Sequence, residues 1–203
     1  MGSNPATPTM KIAILGGSFN PPHLGHLSVA KQVLDFTDNN QVWLTPCYKH
    51  TFLKNLVSVS HRVKMTKLLT NRKIKYCHQE ITNKLSGETI ELMEILRKKH
   101  PHHQFSFIIG SDNLKSLKKW GNFQKLIQNY QILVFPRPRF GFSLKKYGLN
   151  IKNHQIKVLK SPLLIHSNIS STNIRKRIKK NLSISHLLPQ KIKEYIEKHQ
   201  LYK

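Results

Sequence analysis

Cysteine is nearly missing from this chain. Its 203 residues contain only Cys47 and Cys77, far apart and with no Cys-x-x-Cys spacing. That excludes a disulfide scaffold and a cysteine zinc site, and it fits a reducing, cytoplasmic setting. Acidic residues are scarce too: 9 Asp and Glu stand against 34 Lys and Arg, a net charge of +25. No apolar run approaches the roughly 20 residues a membrane helix needs. Residues 1–9 are polar, without the apolar core of a signal peptide, and read as an appended stretch with Met10 the natural start. Glycine and proline are modest, at 9 and 10, and 38% of residues are hydrophobic, which excludes a disordered chain. Residues 10–203 therefore read as a single domain large enough for a real core.

The excess of positive charge attracts polyanions, either nucleic acid or small phosphorylated substrates. The basic residues are spread along the whole chain rather than gathered in one arm, and no basic strand pair interleaved with aromatics is present. Both features disfavour nucleic acid as the partner.

One stretch organises the rest: Gly16-Gly17-Ser18-Phe19-Asn20-Pro21-Pro22-His23-Leu24-Gly25-His26. Residues 11–15 before it form a short β-rich apolar run, and residues 27–36 after it carry helical periodicity. Strand, glycine turn, histidine loop and helix gather backbone N–H groups and a helix N-terminus in one place, which suits phosphate. Gly16 and Gly17 let backbone approach a ligand. Ser18 adds a donor, and His23 and His26 bring two imidazoles to the same mouth.

His23-Leu24-Gly25-His26 resembles the His-x-Gly-His signature of the nucleotidyltransferase superfamily. The lead-in Gly17-Ser18-Phe19-Asn20-Pro21 is similar to that of the nicotinate/nicotinamide mononucleotide adenylyltransferases. The resemblance implies a Rossmann-like α/β fold, doubly wound on a mostly parallel sheet.

Residues 41–45 predict the second strand, closed by Pro46 and completing a βαβ unit. Lys49 and His50, just beyond it, are placed for a phosphate at the strand's carboxyl edge. A helix is expected over 63–69 with Ser60 as its cap, then a short strand over 74–77 and a helix over 89–99. The family opens that last helix with Tyr-Thr to hold the nicotinic ring. Thr89 matches, whereas Glu88 replaces the Tyr. His100-Pro101-His102-His103 is a dense histidine cluster without acidic or cysteine partners, and reads as a solvated loop. Residues 105–109 predict a buried strand ending at Gly110-Ser111-Asp112. Asp112 is a candidate for a ribose hydroxyl and for capping a helix that begins near Leu114. Trp120 matches a family Trp near the pyridine ring. Residues 131–135 form a further strand, and Pro136-Arg137-Pro138 resembles the family's strand-end Arg-Pro, placing Arg137 at the ligand edge. Residues 141–153 read as a loop, residues 155–159 and 163–165 as short strands, and residues 191–199 as an amphipathic helix.

A second motif, Ile169-Ser170-Ser171-Thr172-Asn173-Ile174-Arg175, supplies a helix N-terminus capped by Ser171 or Thr172, with Arg175 on the same face. It resembles the family's triphosphate-binding motif.

The resemblance implies adenylyl transfer from ATP to nicotinate mononucleotide in NAD biosynthesis, with nicotinamide mononucleotide or pantetheine phosphate as alternative acceptors. It assigns His23, His26, Arg175 and Ser18 to catalysis. It assigns Gly16, Gly17, Ser18, His23, His26, Asp112, Ser170, Ser171, Thr172 and Arg175 to ATP, and Lys49, Thr89, Trp120 and Arg137 to the mononucleotide. Mg²⁺ is expected to arrive with ATP rather than on protein ligands, and a homo-oligomer is compatible with the sequence. A phosphate acceptor is already largely ionised at pH 7, so no general base is needed. The conspicuous motifs accordingly hold no carboxylate pair and no Ser-His-Asp arrangement.

Overall fold

In the first strand, Lys11–Gly17 (β1), side chains alternate between two cores. Ile12 and Ile14 enter one, Ala13 and Leu15 the other, and all four are buried. A strand with no wet face belongs at the centre of a parallel sheet. The computed structural model describes residues 8–49, 56–149 and 155–203. Among them β1 is joined by β2 (Gln41–Pro46), β3 (Ile74–Tyr76), β4 (Gln104–Gly110), β5 (Gln131–Phe135) and β6 (Ile156–Val158). The order is β3-β2-β1-β4-β5-β6 and every pairing is parallel. The expected doubly wound α/β fold is present.

Helices cover both faces. On one side α4 (Thr89–Lys99) and α5 (Phe123–Asn129) place Leu92, Met93, Leu96 and Leu126 against Ile12, Ile14 and Phe107. On the other lie α1 (Leu24–Phe36), α2 (Val59–Lys67), α6 (Ser171–Lys179) and α7 (Gln190–Lys198). They contribute Ala30, Val33, Met65, Ile174, Ile192 and Ile196 to a core with Ala13, Leu44 and Leu133. A short helix, α3 (Gln79–Thr82), follows β3. The chain leaves β1 towards β2 and β3, then returns to place β4 on β1's other side. The β1/β4 boundary is thus the switch point, where open parallel sheets hold ligands beyond their carboxyl ends.

Several local expectations are corrected. α1 begins at Leu24 rather than 27, so the histidine motif forms its first turn instead of a loop before it. α2 is capped by Ser58, whose hydroxyl accepts from the His61 N–H, and not by Ser60. No α-helix starts near Leu114; 3-10 turns at Ser111–Asn113 and Leu117–Lys119 replace it. The loop after β5 contains a further 3-10 turn, Lys145–Tyr147. Residues 163–165 are not a strand. The Gln32 side chain accepts from the Ile165 N–H at 2.6 Å and donates to its carbonyl at 3.0 Å, as a neighbouring strand would. Leu163 and Ile165 turn outward, 74% and 69% exposed. His50 lies outside the described residues.

Candidate active site

The loop between β1 and α1 is set by its own backbone and by side chains that arrive from elsewhere. Phe19 is buried with φ 47°, a left-handed conformation that costs a non-glycine residue about 1–3 kcal/mol. The peptide Asn20–Pro21 is cis. Three donors from elsewhere in the chain hold the loop's carbonyls. Arg62 Nη1 of α2 donates to Ser18 O at 3.0 Å, Arg175 Nη1 of α6 to Asn20 O at 2.7 Å, and Ser171 Oγ to Pro21 O at 2.8 Å. The loop's carbonyls are thereby turned into the protein.

At the start of α1, His23 is buried and His26 half-buried, their ring centroids 3.7 Å apart. The His26 ring also lies 4.7 Å from that of Phe19. The His23 N–H donates to His26 Nδ1 at 3.2 Å. A neutral imidazole that accepts at Nδ1 carries its proton on Nε2, so His26 is left with a donor there. Both rings are held neutral. Burial, aided by Arg137, lowers the His23 pKa to about 3. Burial, His23 and Arg137 hold His26 well below the usual histidine value. Gly25 is required by this close ring pair: a Cβ there would sit 2.9 Å from His23 Nδ1. The bare α-carbon of Gly16 also makes room for Phe107, whose Cζ would lie 2.8 Å from a Cβ. The helix terminus is also partly used, since the Leu24 N–H donates to Leu187 O at 3.0 Å.

The second motif meets the first. Ser170, not Ser171 or Thr172, caps α6, accepting from the Asn173 N–H at 3.2 Å. Ser171 and Arg175 instead bind the Asn20–Pro21 backbone, while exposed Thr172 lies 3.4 Å from Arg175 Nη2.

At the ends of β4 and β5, Asp112 and Arg137 form an ion pair at 3.5 Å. Arg137, expected with the mononucleotide residues, stands close enough to depress both histidine pKa values. It also lines a slot with Gly25, Ser28, Pro136, Ile165 and Ile169. Trp120 and Thr89 belong to a second group on the far side of β4. Trp120 packs edge-on against Phe107, 6.1 Å between centroids. Glu88, at the N-terminus of α4, lays its carboxylate against the α-carbon of Gly121, beside Trp120. Lys49 is exposed at the end of β2.

Residues 14–177 match the cytidylyltransferase-like family. A Flavobacterium johnsoniae protein named "Probable nicotinate-nucleotide adenylyltransferase" is 38% identical over 96% of this chain and all of its own length. The chain belongs to the cytidylyltransferase-like family, in its nicotinate-nucleotide adenylyltransferase branch. A Bacillus cereus relative of the same name is 34% identical over 95% of this chain and 98% of its own. The fold of the branch recurs in Plasmodium falciparum nicotinic acid mononucleotide adenylyltransferase complexed with NaAD. That structure superposes with a TM-score of 0.76 at 24% identity, covering 95% of this chain and 97% of that one.

Sequence reasoning missed Arg62. It is 1% exposed, and besides Ser18 O it donates to Cys47 O at 2.7 Å, Tyr48 O at 3.3 Å and Val57 O at 3.3 Å. One guanidinium thus joins the loops after β1 and β2. The signal was present: Arg62 shares a helical stripe with Met65 and Leu69, where an apolar residue is expected. The Asn20 side chain was given no role either, although Asn20 stands in the lead-in to the histidine motif.

Proposed function

We propose that the protein transfers the adenylyl group of ATP to nicotinate mononucleotide. The mononucleotide's phosphate oxygen forms a bond to the α-phosphorus, the bond from that phosphorus to the bridging oxygen breaks, and pyrophosphate leaves with the electron pair. The products are the deamido dinucleotide and pyrophosphate. The observation that carries this reading is the junction of the two motifs: Arg175 and Ser171 of α6 bind the carbonyls of the same loop that leads into the histidine turn. Relatives named nicotinate-nucleotide adenylyltransferase support the acid as acceptor.

The chemistry needs little beyond positioning and charge stabilisation. The acceptor phosphate is ionised in water, its second pKa about 6, so no side chain has to remove a proton. His26, neutral and with its proton on Nε2, serves the α-phosphate as a hydrogen-bond donor. His23 and Arg175 serve the rest of the triphosphate, Arg175 through a fork suited to phosphate oxygens. Ser18 donates from the loop, with the backbone at Gly16, Gly17, Ser170, Ser171 and Thr172 around it. Asp112, oriented by Arg137, accepts from a ribose hydroxyl. Lys49 faces the acceptor phosphate, and Thr89 and Trp120 line the pyridine ring. Mg²⁺ arrives on the ATP phosphates as part of the substrate.

The test is direct. Purified protein is incubated with ATP, Mg²⁺ and either nicotinate or nicotinamide mononucleotide, and pyrophosphate release is followed. Faster release with the acid is expected. Release only with pantetheine phosphate, or with no acceptor, would overturn the reading.

A further inference from the structure

Beyond α7 the chain folds back onto the loop that the two motifs share. Leu201 is buried, and Tyr202 is half-buried with its hydroxyl donating to Asn20 Oδ1 at 2.9 Å. The same oxygen accepts from the Val57 N–H at 3.3 Å. Asn20 is 0% exposed, and its backbone carbonyl is the acceptor for Arg175 Nη1 at 2.7 Å. A single buried residue therefore takes the tyrosine hydroxyl on its side chain and the motif arginine on its backbone. Gln200 and Tyr202 both hold left-handed backbone, φ 48° and 70°. Non-glycine residues keep such conformations where surrounding contacts over-determine them. Burial pushes the Tyr202 pKa above the ordinary tyrosine value, with Arg175 and Arg62 close enough to oppose the shift. The hydroxyl thus remains a donor at neutral pH.

We infer that Tyr202 is a positioning residue for adenylyl transfer: through Asn20 it fixes the carbonyl that aims Arg175, and so sets the guanidinium at the triphosphate. The inference rests on the reaction proposed above. Tyr202 touches no reacting atom in this account. Its effect should appear in turnover, and only while Arg175 is present to be aimed.

Tyr202→Phe deletes one hydroxyl and leaves Asn20 bonded to Val57. With ATP and nicotinate mononucleotide, kcat should fall about 5-fold, the scale of one net hydrogen bond. KM for the mononucleotide should stay within about twofold and Tm within about 2 °C, because the ring and its packing are retained. In an Arg175→Ala background the same change should cost less than about 1.5-fold, since residues acting through one another are not additive. Equal losses in both backgrounds would overturn the inference, as would a Tyr202→Phe protein that matches wild type. A Tyr202→Phe protein that fails to fold would make the residue structural and overturn it too. Wild-type protein without turnover would remove the reaction and the inference together; an active wild type matched by Tyr202→Phe would remove the inference alone.

Discussion

The backbone N–H of His23 donates to Nδ1 of His26 at 3.2 Å. The bond caps the first turn of α1 and selects the tautomer of the second histidine in one step. His26→Asn keeps an acceptor near the Nδ1 position but has nothing at Nε2. It should fold normally and lose about 10²–10³ in kcat, the size of one preorganised donor. His26→Gln, which carries an amide near the Nε2 position, should lose less. Steady-state turnover of the two variants checks the order, and the reverse order would remove the Nε2 proton from the mechanism.

Acid should destabilise the fold through the same pair. His23 titrates at about 3 and His26 well below 6.5 when folded. The unfolded chain binds those protons near 6.5, so below that pH the unfolded state holds more protons and stability falls as pH drops. The expected slope from His23 is about 1.4 kcal/mol per pH unit down towards pH 3, and His26 adds to it in the same direction. Glu80 works in the opposite direction. Burial raises its pKa from 4.5 to about 7, so its contribution is lost as pH rises through that window. His100 and His199 are also held below the usual histidine value. Urea unfolding between pH 4 and 8 is therefore compared in Glu80→Gln backgrounds with and without His23→Gln and His26→Gln, and the difference reports the pair. A flat difference would mean that the imidazoles are not held neutral.

Arg62 should matter to stability out of proportion to its single side chain. Arg62→Met retains volume but strips donors from the carbonyls of Ser18, Cys47, Tyr48 and Val57. Unsatisfied buried groups cost about 1–3 kcal/mol each, and the expected loss is about 3 kcal/mol or more by denaturant unfolding. Arg62→Lys should recover only part, because an ammonium lacks the planar fork that spans two loops. A loss below about 1 kcal/mol for Arg62→Met would refute the clasp.

Glu88 places a carboxylate against Gly121, the residue after Trp120, near which the pyridine ring is proposed to lie. A like charge there disfavours the acid acceptor relative to the amide. Glu88→Gln should therefore raise the ratio of kcat/KM for nicotinate over nicotinamide mononucleotide, by about 3–10-fold for a partly screened pair. An unchanged ratio would separate Glu88 from the ring.

Much of this was legible in the residues. The β1–loop–α1 motif and the strands before Asp112 and Arg137 follow from local periodicity and turn chemistry, while the doubly wound sheet was what the family resemblance implied. What was misread depended on partners distant in the chain. Pro21, Pro22 and Gly25 looked like a loop, yet His23 and His26 cap each other and start the helix early. Ser170, Ser171 and Thr172 are chemically similar as caps; only the carbonyl of Pro21 decides that Ser171 is occupied elsewhere. Residues 163–165 had strand composition, but Gln32 occupies the backbone that a strand would need. Arg62 stood out on an apolar stripe with Met65 and Leu69, but the carbonyls that satisfy its guanidinium are displayed by no sequence pattern.

The loop carbonyls bring a consequence for how the protein comes into being. Ser171 lies 150 residues from Pro21, Arg175 155 from Asn20, and Tyr202 182 from Asn20. Contacts of such separation form late, because the intervening chain must first be ordered. A nascent chain that has built β1 and α1 carries the whole histidine motif and still lacks the shape of the loop before it. Competence should arrive in one step, when α6 and the segment beyond α7 dock.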